Sequence, residues 1–293
     1  RKVMKYSDSA AYYHACTDGN ALDWIFNDTE DFIAGINRIG ICKLISDVLV
    51  IAYVLMDNHV HFVLQGTIAQ CKHFIQQYKV LTGKWISKKY HRDSPLRLLP
   101  SQLILIHDEE QLLDTIAYLD RNAIVAGYPY LPHEYPWGSA MYIFKDEFNR
   151  INNTRALQEF NAKEQHILLK TWHKIPENWR VYSNGMIDPR CFLEVSRVEK
   201  VFKSPIKYIF HLSKKLEGKI ELMQGTQTFI SDKELRKITL NLTKELFRKA
   251  SVQELNFNSK IIIARKLRYD HASTAKQISR MLAIDHETIT KFI

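Results

Sequence analysis

Apolar positions along the chain either alternate with polar ones or bunch together, and the pattern predicts short strands interleaved with longer helices. Ala11 to Cys16 reads as a strand, closed by the turn-forming Thr17-Asp18-Gly19-Asn20. Asp28 to Ile39 places Phe32, Ile33, Ile36 and Ile39 at near-helical spacing. Val48 to Leu55 is β-branched and almost wholly apolar, as a strand covered on both faces must be. Asp57-Asn58 supplies a turn, and His59 to Gln65 returns as the partner strand. A helix from Thr67 to Lys89 follows, then a strand at Gln102 to Ile106. The next helix is capped by Asp108, with Gln111 three residues on, and stops before Gly127.

That order predicts an α+β fold: a ferredoxin-like, four-stranded antiparallel sheet with helices on one face. An all-α C-terminal region is expected to follow, with Arg197 to Leu216 and Asp232 to Lys249 as its clearest helices. The expected organisation is a domain over 1–150, a helical connecting region over 151–255, and a helix-turn-helix-like segment over 256–293. The connecting region carries no pattern that points to a function.

Composition narrows the class. With 293 residues, 46% hydrophobic and 25% charged, the chain is globular rather than disordered or low-complexity, and long enough for more than one domain. The net charge of +9 is uneven: residues 1–150 hold 15 Lys/Arg against 17 Asp/Glu, and the remainder holds 26 against 15. A polyanionic partner is expected to meet mainly the C-terminal half. The four cysteines lie far apart with no CxxC pair, which argues against a zinc ribbon or a disulfide scaffold and fits a reducing compartment. The longest apolar run, Val48 to Met56, is about half of a membrane span. Arg1-Lys2-Val3-Met4-Lys5-Tyr6 has no apolar core behind it, so neither a signal peptide nor a membrane anchor is expected, and a cytoplasmic location is.

Two constellations carry candidate chemistry. In His59-Val60-His61 the imidazoles, two residues apart on a strand, share one face and suit a divalent cation. The alternative is a chance spacing among 12 histidines. Tyr118 and Asn122, four apart on a helix, stack on one face with Asp114 a turn earlier. That places a phenol nucleophile beside an amide oxygen, or simply an amphipathic tyrosine in packing. A basic surface on the helix after the histidine strand joins Lys72, Lys79, Lys84, Lys88, Lys89 and Arg92 with Tyr78, Trp85 and Tyr90. Cations with rings suit single-stranded nucleic acid, although the same residues also make an ordinary solvated face. At the C-terminus, Thr274 to Leu282 and His286 to Ile293 read as two short helices joined at Ala283-Ile284-Asp285, a helix-turn-helix pattern or a plain helical hairpin. His286, Glu287, Thr288 and Lys291 would face duplex DNA in the first case.

Taken in context, Leu55-Met56-Asp57-Asn58-His59-Val60-His61-Phe62-Val63-Leu64 resembles the "MPNHVHLLL" stretch of the HUH single-strand transposases. Tyr118 to Gly127 resembles their "YIxxNPVRAG", and Tyr135-Pro136-Trp137-Gly138-Ser139 resembles "YPWSS". Three motifs in the right order resemble most of all the REP-associated tyrosine transposases, over about residues 10–145. The resemblance implies a Mg²⁺ or Mn²⁺ ion held by His59, His61 and Asn122. It implies Tyr118 as a nucleophile forming a 5′-phosphotyrosine link, single-stranded DNA with hairpins as substrate, and a monomer or homodimer. The chain departs from that pattern at Asp57, where the family has proline, so a carboxylate stands there as a turn cap or an additional ligand. Ala123-Ile124-Val125 replaces "PVR", and Asp18 replaces the arginine of "SRGN", both removing positive charge. A non-cleaving DNA-binding regulator that keeps the fold for hairpin recognition is the alternative from another class, and a relaxase or rolling-circle initiator is a third.

Overall fold

The computed structural model describes residues 9–17, 24–145, 153–213, 232–271 and 273–293. Most of the turn expected after Thr17, and the last three residues of the helix expected over Arg197–Leu216, lie outside them. Four strands form the central sheet: β1 (Ala11–Thr17), β2 (Leu49–Met56), β3 (His59–Gly66) and β4 (Ser101–Ile106). Their order is β2-β3-β1-β4, with every neighbouring pair antiparallel, which is the ferredoxin-like arrangement. The helices of this half are α1 (Thr29–Ser46), α2 (Ile68–Tyr90), α3 (Pro95–Leu98), α4 (Glu109–Asp120) and α5 (Asn122–Val125). Asp28, Thr67 and Asp108 cap α1, α2 and α4 by accepting from the third backbone N–H of each helix, so the polar residues just before the apolar stripes start the helices.

One expectation needs correcting: helices cover both faces of the sheet. On one face, Tyr53, Leu55, Val60, Phe62 and Leu64 pack with Phe32, Ile36 and Ile39 of α1 and Phe74 and Tyr78 of α2. On the other, Ile51, Val54, Met56, Val63 and Ile106 pack with Leu112, Leu113, Ile116 and Leu119 of α4. The physical reason lies in β2, whose nearly continuous apolar run would leave one face wet under a single layer of helices. Further cover on the α4 face comes from α7 (Val195–Phe202) and α8 (Pro205–Ser213), through Val198, Phe202 and Tyr208.

As an edge strand, β2 exposes unpaired backbone groups. The segment Tyr135–Ser139 covers them: Leu55 N–H donates to the Trp137 carbonyl at 2.9 Å, and Tyr53 N–H to Ser139 Oγ at 3.0 Å. The Tyr135 hydroxyl donates to the Leu55 carbonyl at 2.8 Å, and the Trp137 ring stacks on Phe32 at 4.7 Å. Further along the same edge, Glu194 N–H donates to the Val50 carbonyl at 3.0 Å. The resemblance to "YPWSS" therefore has a structural meaning here: an aromatic strap along a sheet edge.

Among the described residues beyond 153 the regular structure is helical, apart from a two-stranded ladder of β5 (Thr154–Ala156) and β6 (Arg180–Tyr182) flanking α6 (Ala162–Leu169). Three-residue strands leave no alternation to read, which is why the sequence pattern did not anticipate them. This segment packs into the core of the sheet. Trp179 and Phe192 lie against α1 at Gly40, where a Cβ would come within 2.8 Å of the Trp179 ring and 2.9 Å of the Phe192 ring. Finally, α9 (Asp232–Phe247), α10 (Phe257–Tyr269), α11 (Ala275–Leu282) and α12 (His286–Phe292) enclose a separate apolar cluster of Leu235, Ile263, Leu267, Ile278, Leu282 and Ile289.

Because Phe192 is 1% exposed and packed against Tyr53 and Trp179, Phe192→Ala should cost about 3–5 kcal/mol in urea unfolding of the whole chain. A loss under about 1 kcal/mol would mean that residues 154–202 do not support the sheet.

Candidate active site

Alternation along two neighbouring strands builds the site. His59, His61 and Val63 share one face of β3, and Val63 packs in the cluster with α4, so both imidazoles stand on that side. On β1, Cys16 lies directly opposite His61 and His14 opposite Val63, so a thiol and a third imidazole project from the same face. The His14 and His61 rings stack with centroids 5.2 Å apart, and His14 Nε2 is 3.0 Å from His61 Nδ1. His59 meets His61 edge-on at 4.9 Å.

Tyr118 descends onto this face from α4. Its ring lies 5.6 Å from that of His61 and 6.0 Å from that of His14, in edge-to-face geometry with both. At 46% exposure it is the half-open wall of a cleft of about 660 Å³, whose lining includes His14, Cys16, His61, Asp108, Glu110 and Asp114. By contrast, the later tyrosines Tyr135 and Tyr142 are buried, and the Tyr128 hydroxyl donates to Asp57 Oδ2 at 2.5 Å. Asp57 thus anchors the turn, its carbonyl also accepting from the Ile25 and Phe26 N–H groups.

What holds the phenol in place is the back of its own helix. Leu112, Leu113, Ile116 and Leu119 seat α4 on the sheet, while the Tyr208 hydroxyl of α8 donates to Asp120 at 2.8 Å. Arg121 donates to the His211 and Leu212 carbonyls at 2.9 and 3.0 Å, tying the end of α8 to the same turn. The helix is interrupted at Arg121, and Asn122 turns its amide back to donate to the Tyr118 carbonyl at 2.8 Å.

Protonation follows from burial. Desolvation, then the neighbouring His59 and His14, push His61 well below its ordinary value, and burial lowers His14 to about 4. Both rings are neutral at pH 7, the form that ligates metals. Asn58 Oδ1 lies 2.7 Å from His59 Nδ1, which assigns the proton to Nδ1 and the lone pair to Nε2. His14, Cys16 and His61 therefore suit a divalent cation. Ligand atoms of His14, Cys16 and His61 all lie within 4.8 Å of one another, and Glu110, Asp114 and His211 form a second such group. For Tyr118, burial and then Cys16 raise the phenol above its usual range, while Arg280, the Asn122 side chain and Arg121 pull it down. The hydroxyl keeps its proton at neutral pH.

The basic surface expected on α2 is largely engaged within the protein. Lys89 reaches Asp28, Glu30 and Asp31 at 2.7, 3.0 and 3.0 Å, and Trp85 Nε1 donates to Asp31 at 3.3 Å. Lys79 donates to the Leu99 carbonyl. Lys89 and Trp85 join α2 to α1, where the buried carboxylate of Asp31 requires donors, and Lys79 joins α2 to the end of α3. Lys84 and Lys88 remain exposed. In the C-terminal module, Thr274 caps α11 and Asp285 caps α12, with Ala283 left-handed between them. His286 and Lys291 are exposed, whereas Thr288 gives both its N–H and its hydroxyl to the Asp285 cap.

His14 and Cys16 reach the site through a signature the sequence does carry, since His-Ala-Cys has the same alternate spacing as His-Val-His. Arg280 of α11 had no such signal. Its charge acts on Tyr118, and its partner Asp232, at 2.6 Å, donates its N–H to the Ala126 carbonyl just beyond α5.

No family model and no curated protein matches the chain. Among solved structures, that of a REP-associated tyrosine transposase bound to a REP hairpin is similar. It has a TM-score of 0.35 and 10% identity, and the match covers 62% of this chain and 99% of that one. Among the described residues, no helix is long and apolar enough to cross a membrane.

The support beneath Tyr118 has a pH signature. Burial, partly offset by the Tyr208 hydrogen bond, Arg121 and Ser139, pushes the Asp120 carboxyl up to about 7. Its unfolded value is about 3.9, so stability present in acid is lost as pH rises through the folded value, by a few kcal/mol at most. Asp120→Asn should flatten the fall in urea midpoint between about pH 4 and about pH 7. An unchanged slope would place the titration elsewhere.

Proposed function

We propose that the protein cuts and rejoins single-stranded DNA, with Tyr118 as the nucleophile. The observation that carries this reading is the half-exposed phenol in edge-to-face contact with His61, the second imidazole of the motif pair, at the wall of an open cleft. The three sequence motifs assign the same residues the same parts.

His59 and His61, with Asn122, would hold a divalent cation, Mg²⁺ or Mn²⁺, which when bound supplies charge stabilisation at a phosphate oxygen. The chain itself does the rest. The packed back of α4 holds the Tyr118 hydroxyl on the histidine side of the sheet, so that attack is a matter of position. As the phenolic oxygen bonds to phosphorus, the bond to the 3′ oxygen breaks. The phenolic proton passes to solvent, and the departing oxygen is protonated to a 3′-hydroxyl. The strand carrying the 5′ phosphate stays on Tyr118, and the reverse reaction reseals it. Hairpin DNA is the substrate class the motifs favour, and the basic C-terminal half is the surface for its stem, with His286, Thr288 and Lys291 on one helix of that half.

The second reading, a non-cleaving DNA-binding regulator, is favoured by one feature. Asp108, Glu110 and Asp114 line the cleft and repel a phosphate backbone.

Incubation with hairpin oligonucleotides bearing single-stranded flanks and Mn²⁺ separates the two. Cleavage predicts a denaturation-resistant protein–DNA adduct, reduced at least about 10³-fold in Tyr118→Phe and strongly in His59→Ala and His61→Ala. Retention of the adduct in Tyr118→Phe rejects the nucleophile. Tight hairpin binding with no adduct under any divalent ion supports the regulator.

A further inference from the structure

We propose that His14, Cys16 and His61 form a binding site for a thiophilic divalent cation, Zn²⁺ first among them, using a thiolate that the His59–His61–Asn122 set lacks. Three facts of position carry this. Antiparallel pairing sets Cys16 directly across from His61, and His14 stands two residues from Cys16 on the same face. The three donor atoms lie within 4.8 Å of one another, and the two imidazole nitrogens are already 3.0 Å apart. All three side chains line the same cleft, so an ion has a way in.

A tetrahedral zinc centre with nitrogen and sulfur ligands holds its donors about 3.3–3.6 Å apart. Around an ion the two imidazole nitrogens, 3.0 Å apart, would open slightly while any wider donor spacing closes, and side-chain rotation on a fixed sheet supplies both adjustments. Three protein donors leave a fourth position open, the pattern of zinc sites that take a water or a substrate oxygen. The Tyr118 ring, 6.0 Å from that of His14 and 5.6 Å from that of His61, bounds that position.

Donor chemistry selects the ion. One thiolate and two imidazoles suit Zn²⁺ or Co²⁺, whereas Mg²⁺ prefers an all-oxygen shell and gives up its waters reluctantly. On binding, the Cys16 S–H bond breaks, its electron pair forms the sulfur–metal bond, and the proton goes to solvent. No oxidant or reductant takes part. A neutral imidazole has one lone pair, so His61 serves a single cation at a time. A thiophilic ion at His14 and Cys16 therefore withdraws His61 from the set with His59. The site stands whether or not the chain cleaves DNA.

The test is titration of the reduced, chelator-stripped full chain with Co²⁺, a spectroscopic substitute for Zn²⁺. The expected result is saturable binding with thiolate-to-cobalt charge-transfer absorption, abolished by Zn²⁺ and untouched by an excess of Mg²⁺. Cys16→Ser should lose that absorption and bind Co²⁺ about tenfold or more weakly. Should Cys16→Ser not fold by circular dichroism, His14→Gln carries the test with the same drop in affinity. Tyr118→Phe should keep the absorption even where it forms no DNA adduct, so this site and the proposed chemistry fail separately. No charge-transfer absorption in the wild type, its persistence in Cys16→Ser, or displacement of Co²⁺ by Mg²⁺ would overturn the site.

Discussion

A pleated strand sends successive side chains to opposite faces, and the candidate site is a consequence of that constraint. In β3, Val60, Phe62 and Leu64 are claimed by the core under α1 and α2, which obliges His59 and His61 to stand on the other side. Pairing with β1 then brings His14 and Cys16 to the same surface, because residues opposite one another in an antiparallel ladder share a face. Once α4 is drawn onto that face by Leu112, Leu113, Ile116 and Leu119, the Tyr118 ring meets those of His61 and His14. The candidate site lies in the seam between sheet and helix, on the face opposite the core under α1 and α2.

Polar groups at this seam are fixed from behind. Tyr208 and Arg121 lock the last turn of α4 to α8, and the strap from Tyr135 to Ser139 closes the β2 edge that would otherwise offer its backbone to another chain. The charge distribution adds a division of labour. The half that carries the cleft is slightly acidic and the half beyond is strongly basic, so attraction for a polyanion and the proposed reaction at it are assigned to different surfaces.

How much of this was readable beforehand depended on the range of the signal. The strands, the helix starts at Asp28 and Thr67 and the cap at Asp108 were legible, since each rests on neighbours within a few residues, and the alternation of strands and helices gave the sheet its order. So was the pairing of imidazoles by strand period and of Tyr118 with Asn122 by helix period. The face on which α4 packs was not, because apolar spacing reports that a helix is buried and not against which side. The role of Lys89 and Trp85 was hidden for a related reason: their partner Asp31 lies more than fifty residues away in the chain. Positive charge beside aromatic rings looks the same whether it awaits a phosphate or neutralises a buried carboxylate. The alternate spacing of His14 and Cys16 was local, but that they face His61 needed the ladder register between β1 and β3.

The central claim is that the α4 phenol becomes bonded to DNA at the histidine face of the sheet. Peptide mapping by tandem mass spectrometry, after reaction with a hairpin oligonucleotide and nuclease trimming, reads this directly. The account predicts a residual phosphonucleotide on the peptide containing Tyr118 and on that side chain. A nucleotide on Tyr128 or Tyr130 instead, or no modified peptide from a preparation that cleaves the oligonucleotide, would contradict it.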